Sequence, residues 1–447
     1  MTHVFRRQIG HEPPVASHGD GVFIVAKDGR RYLDASGGAA VSCLGHSDQS
    51  VIAAIRDQLD SIPFAHTGFF TTDAAEKLCT RLAEAAPGDL NRVYLLSGGS
   101  EATEAALKLA RQYYLEKGEP DRAHFIARHQ SYHGNTVGAL SIGGNMARRA
   151  PYQPILKDWS HVSPCFAYRG QHVGESDEAY TDRLADELDR EIERIGSGRV
   201  AGFLAEPVVG ASLGAAPAVA GYFKKIRAVL DRHGVLMILD EVMCGMGRVG
   251  TLYACEQEGV VPDILTCAKG LGAGYQPIGA MIVSEALYQT IAEGSGAFQH
   301  GHTYMGHPAA AACALAVNRR LVDDGLVAGV HAKGAYLENR LTERLGNSPH
   351  IGDIRGRGLF LGIELVKDRE TKSPFDPKSK LNARIREEAL RRDMICYPGG
   401  GTVDGTAGDH VLLAPPYIIS EVEMDEIAGR LGDAIEAAIE AVGGAAS

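Results

Sequence analysis

The sequence predicts an α/β protein: a large domain with a mostly parallel central sheet flanked by helices, and a smaller α+β domain. Three observations lead there. The chain has 447 residues, beyond the length at which one hydrophobic core stops growing. From about residue 48 to 325, helical stretches alternate with short apolar runs, the pattern of a parallel sheet covered on both faces. Glycine is abundant, 54 residues with no collagen-like period, so tight turns and close backbone approaches are expected.

The elements follow in chain order. Residues 20–45 alternate apolar runs with Asp-Gly turns and predict hairpins. Next come a helix at 73–86, a strand at 92–96, a helix at 101–117 and a strand at 123–127. A helix at 177–195, a strand at 200–205, a helix at 218–233 and strands at 234–239, 263–268 and 278–283 continue the alternation, and a helix at 307–323 closes it. Beyond 326 the sequence predicts a helix at 331–345, paired strands within 351–366, a helix at 379–392, short strands near 394–397 and 411–413, and a terminal helix from 421. The expected organisation is an N-terminal strand segment (1–55) packing with the small domain, a large α/β domain (56–325) and a C-terminal α+β domain (326–447).

Composition narrows the function classes. A net charge of -11 argues against nucleic-acid or anionic-membrane partners, which want a basic face. Eight Cys form no CxxC pair and no zinc-spaced Cys/His cluster, so no metal site is expected and a reducing, cytoplasmic setting fits. Neither a leader-like apolar run at MTHVFRRQIGHEPPV nor a stretch near 20 apolar residues occurs, so no membrane span is expected.

Four motifs carry chemistry. In DILTCAKGLGAGYQPIGA an apolar strand ends at Lys269 and runs into glycines; a cation at a buried strand end needs a partner or a purpose. In VLMILDEVM the strand ends at Asp240, where open α/β sheets bind ligands. A Walker B reading fails, because a P-loop needs Gly-Lys and the chain has no such dipeptide. In LLSGGSEATEAALKLAR a strand leads through Gly99 and Ser100 into a helix, which makes an anion site of N–H groups at the positive end of a dipole. In HQSYHGNT a strand is followed by Tyr132 and His133, and a Tyr there can offer its face to a flat ligand. Each has a bland reading alone: a snorkelling Lys, a capped helix, a packed Tyr. Together, a phosphate cradle, an aromatic face, a strand-end Asp for a pyridinium nitrogen and a strand-end Lys for a Schiff base meet the requirements of pyridoxal 5'-phosphate.

The chain also resembles the class III, fold-type-I pyridoxal-phosphate aminotransferases, which include the omega-amino acid:pyruvate, ornithine and 4-aminobutyrate enzymes. The likeness runs from GDGVFIVAKDGRRYLDASGG through SGGSEATEAALKLAR, SYHGNT, FLAEPVVG, ILDEVMCGMGRVG, PDILTCAKGLGAGYQPIGAM, GHTYMGHPAAAA and DIRGRGLFLGIEL to APPYIISEVEMDEI. It implies that Lys269 is the Schiff-base lysine and Asp240 the pyridinium partner. It places Val242 and Tyr132 on opposite ring faces beside His133, Gly99 and Ser100 at the phosphate, and Glu206 at the cofactor's border. Thr303 would reach the phosphate of a neighbouring subunit, so a homodimer, or a tetramer of two such dimers, is implied. The implied activity is ping-pong transfer of an amino group from an amine or omega-amino acid to a 2-oxo acid, with pyruvate expected. The same residues would serve decarboxylation-dependent transamination, elimination or aminomutation, which stay as alternatives.

Departures from the family pattern bear on the substrate. Asn135 stands where ornithine-type members carry an Arg, Val411-Leu412-Leu413 precedes the Ala-Pro-Pro without one, and Gly405 occupies the place of a mobile Arg before GDH. Residues 393–429 contain no Arg or Lys. The sequence therefore predicts an amine, or an amino acid whose carboxylate lies far from the reacting amine, with Arg355 or Arg357 as a candidate cation for the acceptor.

Overall fold

A computed structural model describes residues 2–10 and 12–443. Its centre is a seven-stranded sheet in the order Leu90–Leu96, Gly279–Ser284, Ile264–Cys267, Leu236–Asp240, Val200–Ala205, His124–Arg128 and Ser160–Val162. Six strands run one way, and Gly279–Ser284 alone is antiparallel to both neighbours. The reason is connection length. A parallel return needs a crossover of a dozen or more residues, usually helical, and the link from Cys267 to Gly279 holds only a short 3-10 turn at Lys269–Leu271.

Both faces of the sheet are covered, as the continuous apolar strands predict. Along Leu236–Asp240 the side chains alternate: Met237 and Leu239 join one core cluster, Leu236 and Ile238 the other. Helix Gly99–Glu116 packs on the second face through Ala102, Ala105, Ala106 and Ala110, small side chains that bring its axis close to the strands. Helix Asp177–Ile195 starts at Ser176, whose side chain accepts from the Ala179 N–H. Helix Tyr222–His233 ends on left-handed Gly234 after Arg232 and His233, both favourable at the negative end of the dipole.

Strands Ala16–Asp20, Phe23–Ala26 and Arg31–Asp34 form an antiparallel meander, and Met394–Ile395 adds to it in parallel. A further antiparallel sheet orders Ile351–Arg357, Phe360–Leu365, Asp409–Leu413 and Tyr397–Gly400. Helices Val330–Leu345, Leu381–Arg391 and Glu421–Gly443 complete that C-terminal part. Several short helices and two longer ones lie outside the sequence expectation; the longer two are Gln49–Ser61, capped by Asp48 accepting from Ser50 and Val51 N–H groups, and Glu285–Glu293. Gln49–Ser61 buries only Val51, although Val51, Ile52, Ile55 and Leu59 recur at helical spacing. Among the described residues no helix is long and apolar enough to cross a membrane.

Candidate active site

The C-terminal ends of the parallel strands share one edge of the sheet, and the chemically active side chains follow directly from them. Leu90–Leu96 leads into Ser97 and the Gly99 helix, His124–Arg128 into Ser131–His133, and Val200–Ala205 into Glu206. Asp240 is the last residue of its strand and Lys269 lies just past Cys267, on strands that pair in parallel register. They enclose a cavity of about 440 Å³ lined by Gly99, Ser100, Tyr132, His133, Glu206, Asp240, Val242 and Lys269. Eight of the nine residues singled out in the sequence thus meet in one place. The ninth, Thr303, is exposed on the loop before helix Pro308–Val322 and does not line the cavity.

Asp240 is held on both oxygens. His133 Nδ1 donates to Oδ2 at 2.7 Å, and the Val242 N–H donates to Oδ1 at 3.0 Å. Both side chains are buried, and His133 Nε2 has no partner among the described residues. The His133 carbonyl accepts from Thr103 Oγ1 at 2.8 Å, which ties this loop to the helix that starts at Gly99. Glu206 reaches the same loop: its Oε1 accepts from the Tyr132 N–H at 3.1 Å and its Oε2 from the Gly210 N–H at 2.9 Å. Burial pushes the Glu206 carboxyl above its usual range.

Lys269 sits at φ +44°, a left-handed backbone that a non-glycine residue adopts at a cost of roughly 1–3 kcal/mol. Burial pushes its amine down to about 8, although Asp240 and Glu206 act in the opposite direction. The chain then turns sharply: a Cβ on Gly272 would lie 2.3 Å from the Gln276 carbonyl oxygen.

The helix start at Gly99 is bare. Gly98 contributes no side-chain cap, so the first N–H groups remain available to an anion. A Cβ on Gly99 would meet Val242 Cγ1 at 2.8 Å, and one on Gly134 would meet Ser100 Oγ at 2.6 Å. Glycine at these two places lets Val242 and the 132–135 loop close on the helix end. Ser100 Oγ accepts from the Asn135 N–H at 3.1 Å and lies 3.0 Å from Asn135 Oδ1.

Two expectations about cations fail. Arg355 is buried, paired with Asp353 and Glu364, and donates to the Leu213 and Gly214 carbonyls. Arg357 pairs with buried Glu258 and donates to the Ala218 carbonyl. Both guanidinium groups are occupied in tying strand Ile351–Arg357 to residues between Leu213 and Glu258. Sequence reasoning instead passed over Arg148, whose guanidinium carbon stands 4.7 Å from the centre of the Tyr132 ring. Two adjacent arginines on the four-residue helix Met146–Arg149, too short for periodicity, offered no signal of which one faces out.

The Aminotransferase class-III family matches residues 5–435. The chain belongs to the class III aminotransferases. An uncharacterized aminotransferase of Schizosaccharomyces pombe is 45% identical over 98% of this chain and 96% of its own. Another, YodT of Bacillus subtilis, is 40% identical over 98% of each chain. Among solved structures, a thermostable (S)-enantioselective omega-transaminase from Thermomicrobium roseum superposes with a TM-score of 0.91 at 36% identity, covering 98% of this chain and 96% of that one. The PMP-bound aminotransferase from Vibrio fluvialis gives a TM-score of 0.90 at 33% identity, covering 96% and 93%. Class III aminotransferases use pyridoxal phosphate. The donor set here fits it: an uncapped helix end for a phosphate, a buried carboxylate for a pyridinium nitrogen, and an amine of lowered pKa for a carbonyl.

Proposed function

We propose that this class III aminotransferase moves an amino group from an amine or omega-amino acid to a 2-oxo acid, pyruvate foremost, in two ping-pong halves. The observation that carries this reading is the placement of Asp240 and Lys269 at the ends of paired parallel strands, in one cavity with the bare Gly99 helix end. When bound, pyridoxal phosphate supplies the carbonyl that takes the amine and a ring that spreads the electron pair left by the departing proton.

The chain's own residues do the rest. Gly99 and Ser100 hold the phosphate with backbone N–H groups and a hydroxyl. Val242 and Tyr132 flank the ring, and His133 stands beside it. Asp240, oriented by His133 and the Val242 N–H, would face the ring nitrogen and hold its proton. Lys269 would hold the cofactor through its amine and, with that amine free, would take the proton from the substrate carbon. Its pKa of about 8 leaves a useful share of neutral amine near physiological pH. Glu206 fixes the Tyr132 backbone at the border. Thr303, exposed on its loop, reaches the phosphate of a second subunit in a homodimer, and a cytoplasmic location accords with eight free cysteines.

A steady-state panel of amine, omega-amino acid and ornithine donors with pyruvate and 2-oxoglutarate tests the proposal. The expected result is parallel-line kinetics with amines or omega-amino acids and pyruvate. Strong preference for ornithine with 2-oxoglutarate contradicts the substrate reading, and product formed beyond one equivalent per site without an acceptor contradicts the transaminase reading.

A further inference from the structure

A second space borders the cofactor cavity at Tyr132 and Gly134. Beyond that ring lies an adjoining depression of about 530 Å³, walled by Val137, Leu140, Pro151, Tyr152 and Ile155, and Arg148 lines it. Tyr132 belongs to both spaces. Arg148 sits on the short helix Met146–Arg149 with its side chain exposed and stacked on the Tyr132 ring. No carboxylate pairs with it among the described residues, whereas adjacent Arg149 is buried and donates to the Gly143 carbonyl. The segment facing this helix brings no charge of its own sign: residues 401–408 carry no Lys or Arg, and a Cβ on Gly405 would lie 3.7 Å from Met146 Cβ. Gln130 Nε2 donates to the Thr402 carbonyl at 2.8 Å and holds that segment in place.

We propose that Arg148 anchors the distal carboxylate of an omega-amino acid whose methylene chain lies along the apolar depression beyond Tyr132. This rests on the transaminase reading above and adds a residue and a spacing to it. A guanidinium stacked on an aromatic face keeps its edge N–H groups free, in a plane suited to a bidentate carboxylate. Because Arg148 borders the outer space and not the cofactor cavity, the carboxylate it meets is separated from the reacting carbon by at least the Tyr132 ring. Its long, exposed side chain also lets a carboxylate-free amine enter without burying an unpaired cation.

The test compares wild type with Arg148→Met, which keeps an apolar stem on Tyr132, and Arg148→Lys, which keeps charge without the fork. On the holoenzyme, the single-turnover amine half-reaction is followed by cofactor absorbance with omega-amino acids of three to six carbons and with the matching alkylamines. Hexanoate, which cannot react, is titrated calorimetrically. Loss of the charged hydrogen bond is expected to weaken the longer omega-amino acids and hexanoate on the order of 10- to 100-fold in Arg148→Met, with Arg148→Lys between. Alkylamine constants should move less than threefold. Omega-amino acid and alkylamine constants that shift together overturn the proposal, as does hexanoate affinity that is absent in wild type or equal in the Met variant. A wild type that transfers no amino group overturns the transaminase reading instead, and the hexanoate comparison then decides Arg148 alone.

Discussion

Gly99→Ala isolates the contact that lets the anion-binding helix end meet the cavity wall. The added methyl would stand 2.8 Å from Val242 Cγ1 and 3.1 Å from Cγ2, roughly 0.7 Å inside the ~3.5 Å at which carbon atoms attract. Either Val242 or the helix start must move. Overpacking of this size costs about 1–3 kcal/mol, against which Ala gains ~0.5–1 kcal/mol over Gly within a helix. The single substitution therefore understates the contact, and the informative quantity is its coupling to Val242. In a Val242→Ala background the methyl has room, so a double-mutant cycle on urea unfolding of the holoprotein, which contains both folding and cofactor binding, should give a coupling of about 1–3 kcal/mol. If the cost of Gly99→Ala is the same with and without the Val242 side chain, within about 0.5 kcal/mol, steric contact is not why glycine stands there.

Replacing Lys269 by Ala should abolish both the visible absorbance of covalently held cofactor and turnover, read by spectrum and initial rate. Asp240→Asn removes the charge but not the shape, and its amine half-reaction, timed by stopped flow, should slow by about 10²–10³-fold. The free Lys269 amine acts as a base only when neutral, and burial sets its pKa to about 8. The proton-transfer step should accordingly rise with pH through about 8 and level off above it, and a profile that falls over that range rejects this role. Glu241→Ala strips the Ala254 and Cys255 N–H groups of their buried acceptor. At about 1–3 kcal/mol for each unsatisfied group, the urea midpoint should drop well below that of wild type.

The sequence displayed the strand-end chemistry because that chemistry is local. Asp240 and Lys269 each follow their own apolar run, and the Gly99 helix start is a contiguous motif. The edge on which they meet follows from parallel pairing, which the βα alternation already implied. What stayed hidden depends on long-range partners. His133 could be seen beside Tyr132, but its bond to Asp240 crosses 107 residues of sequence and passes over the intervening strand Val200–Ala205. Arg355 looked available for a substrate because Glu364, nine residues on, reads as an ordinary strand residue. Only the antiparallel pairing of Ile351–Arg357 with Phe360–Leu365 sets the two in reach.

Arg148 and Arg149 make the same point at one position's spacing. One turns inward to a carbonyl and the other stacks outward on Tyr132, and no periodic pattern in GGNMARRAPYQP distinguishes them. The absence of cations in 393–429 was legible as a deficit, yet where the charge is supplied instead could not be read from it. The 401–408 segment rests against Met146, so the two stretches are neighbours in space although some 250 residues of chain separate them. A charge lost from one wall can be supplied from the other without disturbing the cofactor end of the cavity. On the proposed function that separation makes Tyr132 the dividing element: residues on its inner side would answer for the chemistry common to all donors, and Arg148 on its outer side for which donors are accepted.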